Sequence, residues 1–159
     1  MTTIAYRDGV MASDSQDTEE DDFVISIDST KVFHLPNNSI VGMAGDTDDR
    51  GVFELLGKAD IEFCERPTKE ELIETRTTVD ALWVWPDQRL WSVYVTYRAD
   101  ESEWQAYVSE IHSDYAAVGS GGKFALGAMA FGASAEEAVE VASEFDIYTG
   151  GSVQSMSVE

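Results

Sequence analysis

Strand-like and helix-like runs fall in blocks along this chain instead of alternating one by one, and that order limits the fold more than any other feature. Residues 2–7, TTIAYR, alternate apolar and polar as a half-buried strand does. Asp8-Gly9 is a tight-turn pair and VMASDS continues at strand length, so residues 2–15 are predicted as a hairpin. TKVFHLP and NSIVGMAG form a second predicted hairpin, turned at Pro36-Asn37-Asn38. Helical spacing then takes over. Val52, Leu55, Leu56 and Ala59 share one face of RGVFELLGKADIEF, with Asp46 or Thr47 as the cap, and KEELIETR follows Pro67 and cap Thr68.

Three β-rich runs come next: TVDALWVWP, RLWSVYVTYR after the turn Pro86-Asp87-Gln88, and WQAYVSEI. AAVGSGGKFALGAMAFGA begins as a strand and becomes a small-residue helix. Ser134 caps SAEEAVEVASEF with Glu137 three residues on, and SVQSMSV closes the chain as a strand. Helices segregated from strands in this way point to an α+β domain in which two antiparallel sheets pack together with helices outside. They do not fit a doubly wound parallel sheet. With 159 residues and no linker or repeat, a single domain over 1–159 is expected.

Charge excludes several functions. Thirty-one acids against ten bases leave a net charge of −21. Nucleic-acid phosphates and anionic membranes demand clustered Lys and Arg, so neither is an expected partner. The same charge fits a very soluble protein or a high-salt environment. Seven acids and no base lie from Asp14 to Asp28, which reads as a solvated loop; it lacks the spaced ligands and mid-loop glycine of a calcium site. Cys64 is the one cysteine, so no internal disulfide can form, and in ADIEFCERP it reads as a small buried hydrophobe near a helix end. With two scattered histidines, His34 and His112, no zinc site is expected. No apolar run reaches membrane-spanning length and no secretory pattern opens the chain, so a cytoplasmic location is expected.

Motif tests mostly fail. AVGSGGKF has Ala117 and Phe124 where a phosphate loop needs Gly and Ser or Thr, and no G-x-S-x-G surrounds Ser120. The opening residues allow another chemistry. A threonine hydroxyl needs a base, and a free α-amine on the same residue can serve, its pKa of about 7.7–8.0 leaving a useful neutral fraction. Loss of Met1 before the small residue Thr2 would create that terminus. The chemistry also calls for a buried Lys–Asp pair and backbone donors for an oxyanion. On its own, Thr-Thr is equally a β-prone start.

Four stretches occur in order: TTIAYRDGVMASDSQ, STKVFHLPNNSIVGMAGD, AAVGSGGKFALGAMAFG and FDIYTGGSV. Together they resemble the proteasome β-subunit and its bacterial relative, the HslV peptidase. The resemblance covers most of the chain and is weakest from Arg50 to Asp114, where this chain is shorter. It implies the four-layer αββα sandwich of N-terminal nucleophile hydrolases and a threonine endopeptidase without metal or cofactor. Thr2 matches the nucleophile, Asp14 and Lys31 the supporting acid and lysine, and Gly45 the oxyanion donor. Ser120 matches the serine near the threonine amine and Asp146 the second acid, while Thr149 stands where the family usually has serine. Ser29, Phe33, Met43 and Thr47 fall where the family lines its specificity pocket, and Phe33 and Met43 favour an apolar side chain.

The resemblance further implies peptide or unfolded-protein substrates, a homo-oligomeric ring and an ATP-driven unfoldase as partner. The compact length resembles phage-encoded or divergent bacterial members. Two other functions share these residues: an amidohydrolase of the same fold acting on a small amide, and a non-catalytic shell subunit. The acidic stretch before Lys31 has no counterpart in the family.

Overall fold

The computed structural model describes residues 2–19, 23–45 and 50–158. β1 (Thr3–Arg7) and β2 (Val10–Ser13) form the first hairpin, and Asp8 and Gly9 both take positive φ, 52° and 80°. That pair of left-handed residues matches the twist of a two-residue hairpin, which explains the Asp-Gly sequence. β10 (Tyr115–Gly119) joins β1 on one side and β11 (Gln154–Ser157) joins β2 on the other. The result is a four-stranded sheet in the order β10-β1-β2-β11.

The second sheet is a five-stranded meander. β5 (Val32–His34) and β6 (Ile40–Gly45) turn at Pro36-Asn37-Asn38, with Asn38 at φ 65°. β7 (Val79–Val84), β8 (Leu90–Arg98) and β9 (Glu103–Ile111) follow in order. Every pairing in both sheets is antiparallel.

Period-2 alternation sorts the side chains into layers. Ile4, Tyr6 and Met11 from the first sheet meet Ile40, Leu82, Val84 and Leu90 from the second, forming the core between the sheets. The opposite face of the five-stranded sheet carries Val41, Met43, Trp83 and Trp91, which pack under α1 (Gly51–Lys58) and α2 (Lys69–Glu74). Trp83 satisfies its buried indole N–H on Ser39 Oγ at 2.8 Å. The opposite face of the four-stranded sheet is built from small residues. Ala5 and Ala12 receive Ala125, Met129, Ala138 and Ala142 of α3 (Gly122–Ala130) and α4 (Ala135–Phe145). Alanines there let two helices lie close on the sheet, and Arg7 Nη1 ties the end of α3 to β1 through the carbonyls of Met129 (2.5 Å) and Ala133 (3.1 Å). The layer order is helices, sheet, sheet, helices, as the block order of the sequence predicts.

Three local expectations need correction. The first helix ends at Lys58 instead of running on to Phe63, because Asn37 Nδ2 takes the carbonyls of Leu56 and Ala59 at 2.8 and 3.1 Å. Its expected caps, Asp46 and Thr47, lie outside the described residues. Cys64 is exposed in the turn beyond that helix, at φ 55°, and is not a buried hydrophobe. The acidic stretch is not wholly a loop, since β3 (Asp17–Thr18) and β4 (Val24–Ser26) pair as a short ribbon. Thr68 and Ser134 cap α2 and α4 as predicted, accepting from the N–H groups of Glu71 and Glu137. No helix among the described residues is long and apolar enough to cross a membrane.

Candidate active site

Thr2 stands at the entry to β1, buried beside the end of β10. Gly119 pairs with Thr3, and a Cβ on Gly119 would overlap the Thr2 carbonyl oxygen. A glycine is therefore required for the first strand to reach its place. Two carboxylates flank the Thr2-Thr3 segment, each inside its own hydrogen-bond cluster.

The first is Asp14, which follows β2 and is 1% exposed. Its Oδ1 accepts from the Thr3 N–H at 3.0 Å and from Lys31 Nζ at 3.1 Å. Its Oδ2 accepts from the N–H groups of Gln16 and Gly150 at 3.3 and 3.2 Å. Lys31, fully buried just before β5, also donates to the Gln16 carbonyl. A buried ion pair survives only when its remaining donors and acceptors are satisfied, and here backbone groups from three segments do so.

The second is Asp146, at the end of α4. Its Oδ2 accepts from Ser120 Oγ and Thr149 Oγ1, both at 2.6 Å, and its Oδ1 accepts from the Tyr148 N–H at 3.2 Å. Burial is the largest single influence on this carboxyl and pushes it up. The hydrogen bonds from Ser120, Thr149 and Tyr148 outweigh that and hold it below the ordinary carboxylate range. Ser120 Oγ also lies 3.4 Å from the Thr2 carbonyl. Thr149 Oγ1 lies 2.7 Å from Thr3 Oγ1. Since Gly150 serves Asp14 and its neighbour Thr149 serves Asp146, the two clusters are joined through one peptide link.

The depressed carboxyl has a testable consequence. A group with a lowered folded pKa contributes stability above its unfolded pKa and loses it as pH falls through the folded value. The stability lost in Asp146→Asn should therefore be full near neutrality and shrink below about pH 4, the ordinary Asp range. Denaturation midpoints of both proteins across that span measure it; a difference constant with pH would contradict the depressed carboxyl.

Gly45 ends β6 at φ 121°, where a Cβ would stand 2.6 Å from the Thr78 carbonyl oxygen. The preceding Ala44 Cβ is 3.5 Å from where a Gly119 Cβ would be, so this strand end abuts the Thr2 entry. The expected pocket residues are dispersed. Met43 donates its N–H to the Lys31 carbonyl at 2.9 Å and is buried in the core under α1. Phe33 packs in the same apolar cluster, edge-on to Phe53 at 5.5 Å. Ser29 faces the ribbon, bonding Asp17 through its hydroxyl and the Ser15 carbonyl through its N–H. Thr47 lies outside the described residues.

The sequence does not single out Thr3, Gln16 or Gly150; Gln16 and Gly150 act through backbone N–H groups, and Thr3 through its N–H and its hydroxyl. The Gly-Gly pair after Thr149 was the one available signal, since a Cβ on Gly150 would overlap the Gln16 side chain. Nor does the sequence single out Asp80, paired opposite Ala44 on β7, whose carboxyl is raised by burial.

Two antiparallel sheets lie face to face between two helical layers, the αββα order that the resemblance implies. Solved structures superpose on nearly the whole chain. Eukaryotic HslV from Trypanosoma brucei matches with a TM-score of 0.70 at 18% identity, over 98% of this chain and 97% of that one. BPH from Thiobacillus denitrificans matches with a TM-score of 0.62 at 22% identity, over 99% and 98% of the two chains. The same protein in complex with epoxomicin gives 0.65 at 22% identity, with equal coverage. No protein-family model and no curated protein matches the sequence. The chain has the HslV-like fold.

Proposed function

We propose that the chain is a threonine-type peptidase whose nucleophile is Thr2 after removal of Met1. The observation that carries this reading is the Thr2-Thr3 segment held between the Asp14–Lys31 pair and the Asp146–Ser120–Thr149 cluster. Lys31 places a positive charge in a buried setting, which favours ionisation of a nearby hydroxyl and the neutral form of a nearby amine. The free Thr2 amine, acting through a water, takes the hydroxyl proton. Thr2 Oγ attacks the peptide carbonyl, the Gly45 N–H holds the oxyanion, and the C–N bond breaks as the leaving amine takes the proton. An acyl ester remains on Thr2 until water, activated by the same amine, releases it. Phe33, half-buried at the border of the cluster under α1, would bias an adjoining pocket toward apolar side chains.

The reading extends to assembly. Exposed Phe124 and Phe145 stack at 5.6 Å on the outer surface of α3 and α4, with Phe131 98% exposed near the end of α3. An apolar surface of that kind on a chain of charge −21 supports association into a homo-oligomeric ring. The likeness to HslV is what suggests a cytoplasmic setting and an ATP-driven unfoldase that feeds it unfolded protein.

The test is intact mass before and after a peptide epoxyketone, a warhead that bridges a free N-terminal amine and its own threonine hydroxyl. The expected result is a protein lighter by one methionine that gains one inhibitor on Thr2. A protein without Met1 that never reacts, in any assembly state, would refute the mechanism.

A further inference from the structure

We propose that Thr3 is a positioning residue whose hydroxyl donates to Thr149, at the far end of a hydrogen-bond chain whose direction Asp146 sets, and so holds Thr149 and Asp146 in place beside Thr2. This rests on the peptidase reading above and assigns a role to a side chain that touches no reacting atom.

The direction follows from counting protons. Asp146 when ionised only accepts, and each hydroxyl has one proton to give. Ser120 and Thr149 both lie 2.6 Å from Asp146 Oδ2, so both spend their protons there. Thr149 Oγ1 can then only accept from Thr3 Oγ1, 2.7 Å away, and Thr3 is the donor. With its proton on Asp146, Ser120 has none left for the Thr2 carbonyl, which stays at 3.4 Å as a contact and not a strong hydrogen bond.

Three further facts single out Thr3. Its side chain is completely buried, so no solvent competes for the hydroxyl. Its N–H bonds Asp14 at 3.0 Å, so one residue is fixed to both acids, to Asp14 by backbone and to Asp146 through Thr149. Gly121 is shaped around the contact. A Cβ there would overlap Thr3 Oγ1 and stand 2.9 Å from Thr149 Oγ1, so glycine at this position keeps the space between the hydroxyls open. Donation from Thr3 polarises Thr149 and strengthens its bond to Asp146.

The experiment compares wild type with Thr3→Val, Thr3→Ser and Thr3→Ala. One readout is the acid titration of the Asp146 side-chain carboxyl carbon by NMR, assigned by its loss in Asp146→Asn. The other is the rate of adduct formation with a peptide epoxyketone. Thr3→Val should raise the Asp146 titration and slow the adduct about fivefold, the scale of one hydrogen bond. Thr3→Ser should restore both. Thr3→Ala removes the same hydroxyl without a methyl to fit, and decides the matter if valine prevents folding. An Asp146 titration that does not move without the hydroxyl overturns the proposal, as does a serine variant as impaired as the valine. If wild type forms no adduct, the peptidase reading fails on that readout alone, while the titration still judges the Thr3 hydrogen bond.

Discussion

Lys31→Met is expected to destabilise the fold by about 3–5 kcal/mol, the scale of breaking a buried ion pair from one side. Methionine fills much of the lysine volume, so the loss would come from charge and hydrogen bonds more than from a cavity. Asp14 keeps backbone donors from Thr3, Gln16 and Gly150, yet its charge is left uncompensated at 1% exposure, and the Gln16 carbonyl loses the ammonium. Adding Asp14→Asn should recover only part of the loss: the stranded charge disappears and the amide oxygen still accepts from Thr3 N–H, but the amide NH2 then faces the Gln16 and Gly150 N–H groups that Oδ2 accepted from. Urea midpoints at equal protein concentration measure both variants. A single variant losing less than about 1 kcal/mol would have the energetics of a solvent-exposed pair and contradict the buried geometry.

What could be read in advance was local or periodic. Asp8-Gly9 and Pro36-Asn37-Asn38 specify their turns through residues that tolerate positive φ, and the caps Thr68 and Ser134 act within three residues of themselves. The helical pattern beyond Lys58 misled because Ile61 and Phe63 keep the apolar spacing. The helix is stopped by Asn37, some twenty residues earlier in sequence, whose amide takes its last carbonyls. Ribbon β3–β4 was hidden by charge, although Ser15 Oγ, bonding the carbonyls of Ile27 and Ser152, fixes its base.

The candidate site divides in the same way. Asp14, Lys31, Asp146 and Ser120 stood out as residue types that a resemblance could place. Thr3 did not, since its partner Thr149 is 146 positions away and the signal is a neighbour's missing Cβ. Gln16 and Gly150 serve Asp14 through N–H groups that any residue has, so side-chain chemistry could not reveal them.

Thr2→Ala should abolish hydrolysis, by about 10³-fold or more, the scale seen when a hydrolase loses its nucleophile. The fold should survive. Thr2 precedes β1, its carbonyl contact to Ser120 is retained by alanine, and the register of Thr3 against Gly119 is set by backbone. Denaturation midpoints should stay within about 1 kcal/mol of wild type, the ordinary cost of a small truncation at a buried position that breaks no network. Alanine at the second position still permits loss of Met1, so the free amine would remain and only the hydroxyl would be missing. That separates this variant from a protein retaining Met1, in which the hydroxyl is present but the amine is an amide and cannot serve as base. The two forms should be equally inert toward a peptide substrate for different reasons. Thr2→Ser, which keeps both groups, should retain hydrolysis. Turnover by Thr2→Ala at the wild-type rate would place the nucleophile elsewhere and leave the Asp14–Lys31 pair a purely structural device.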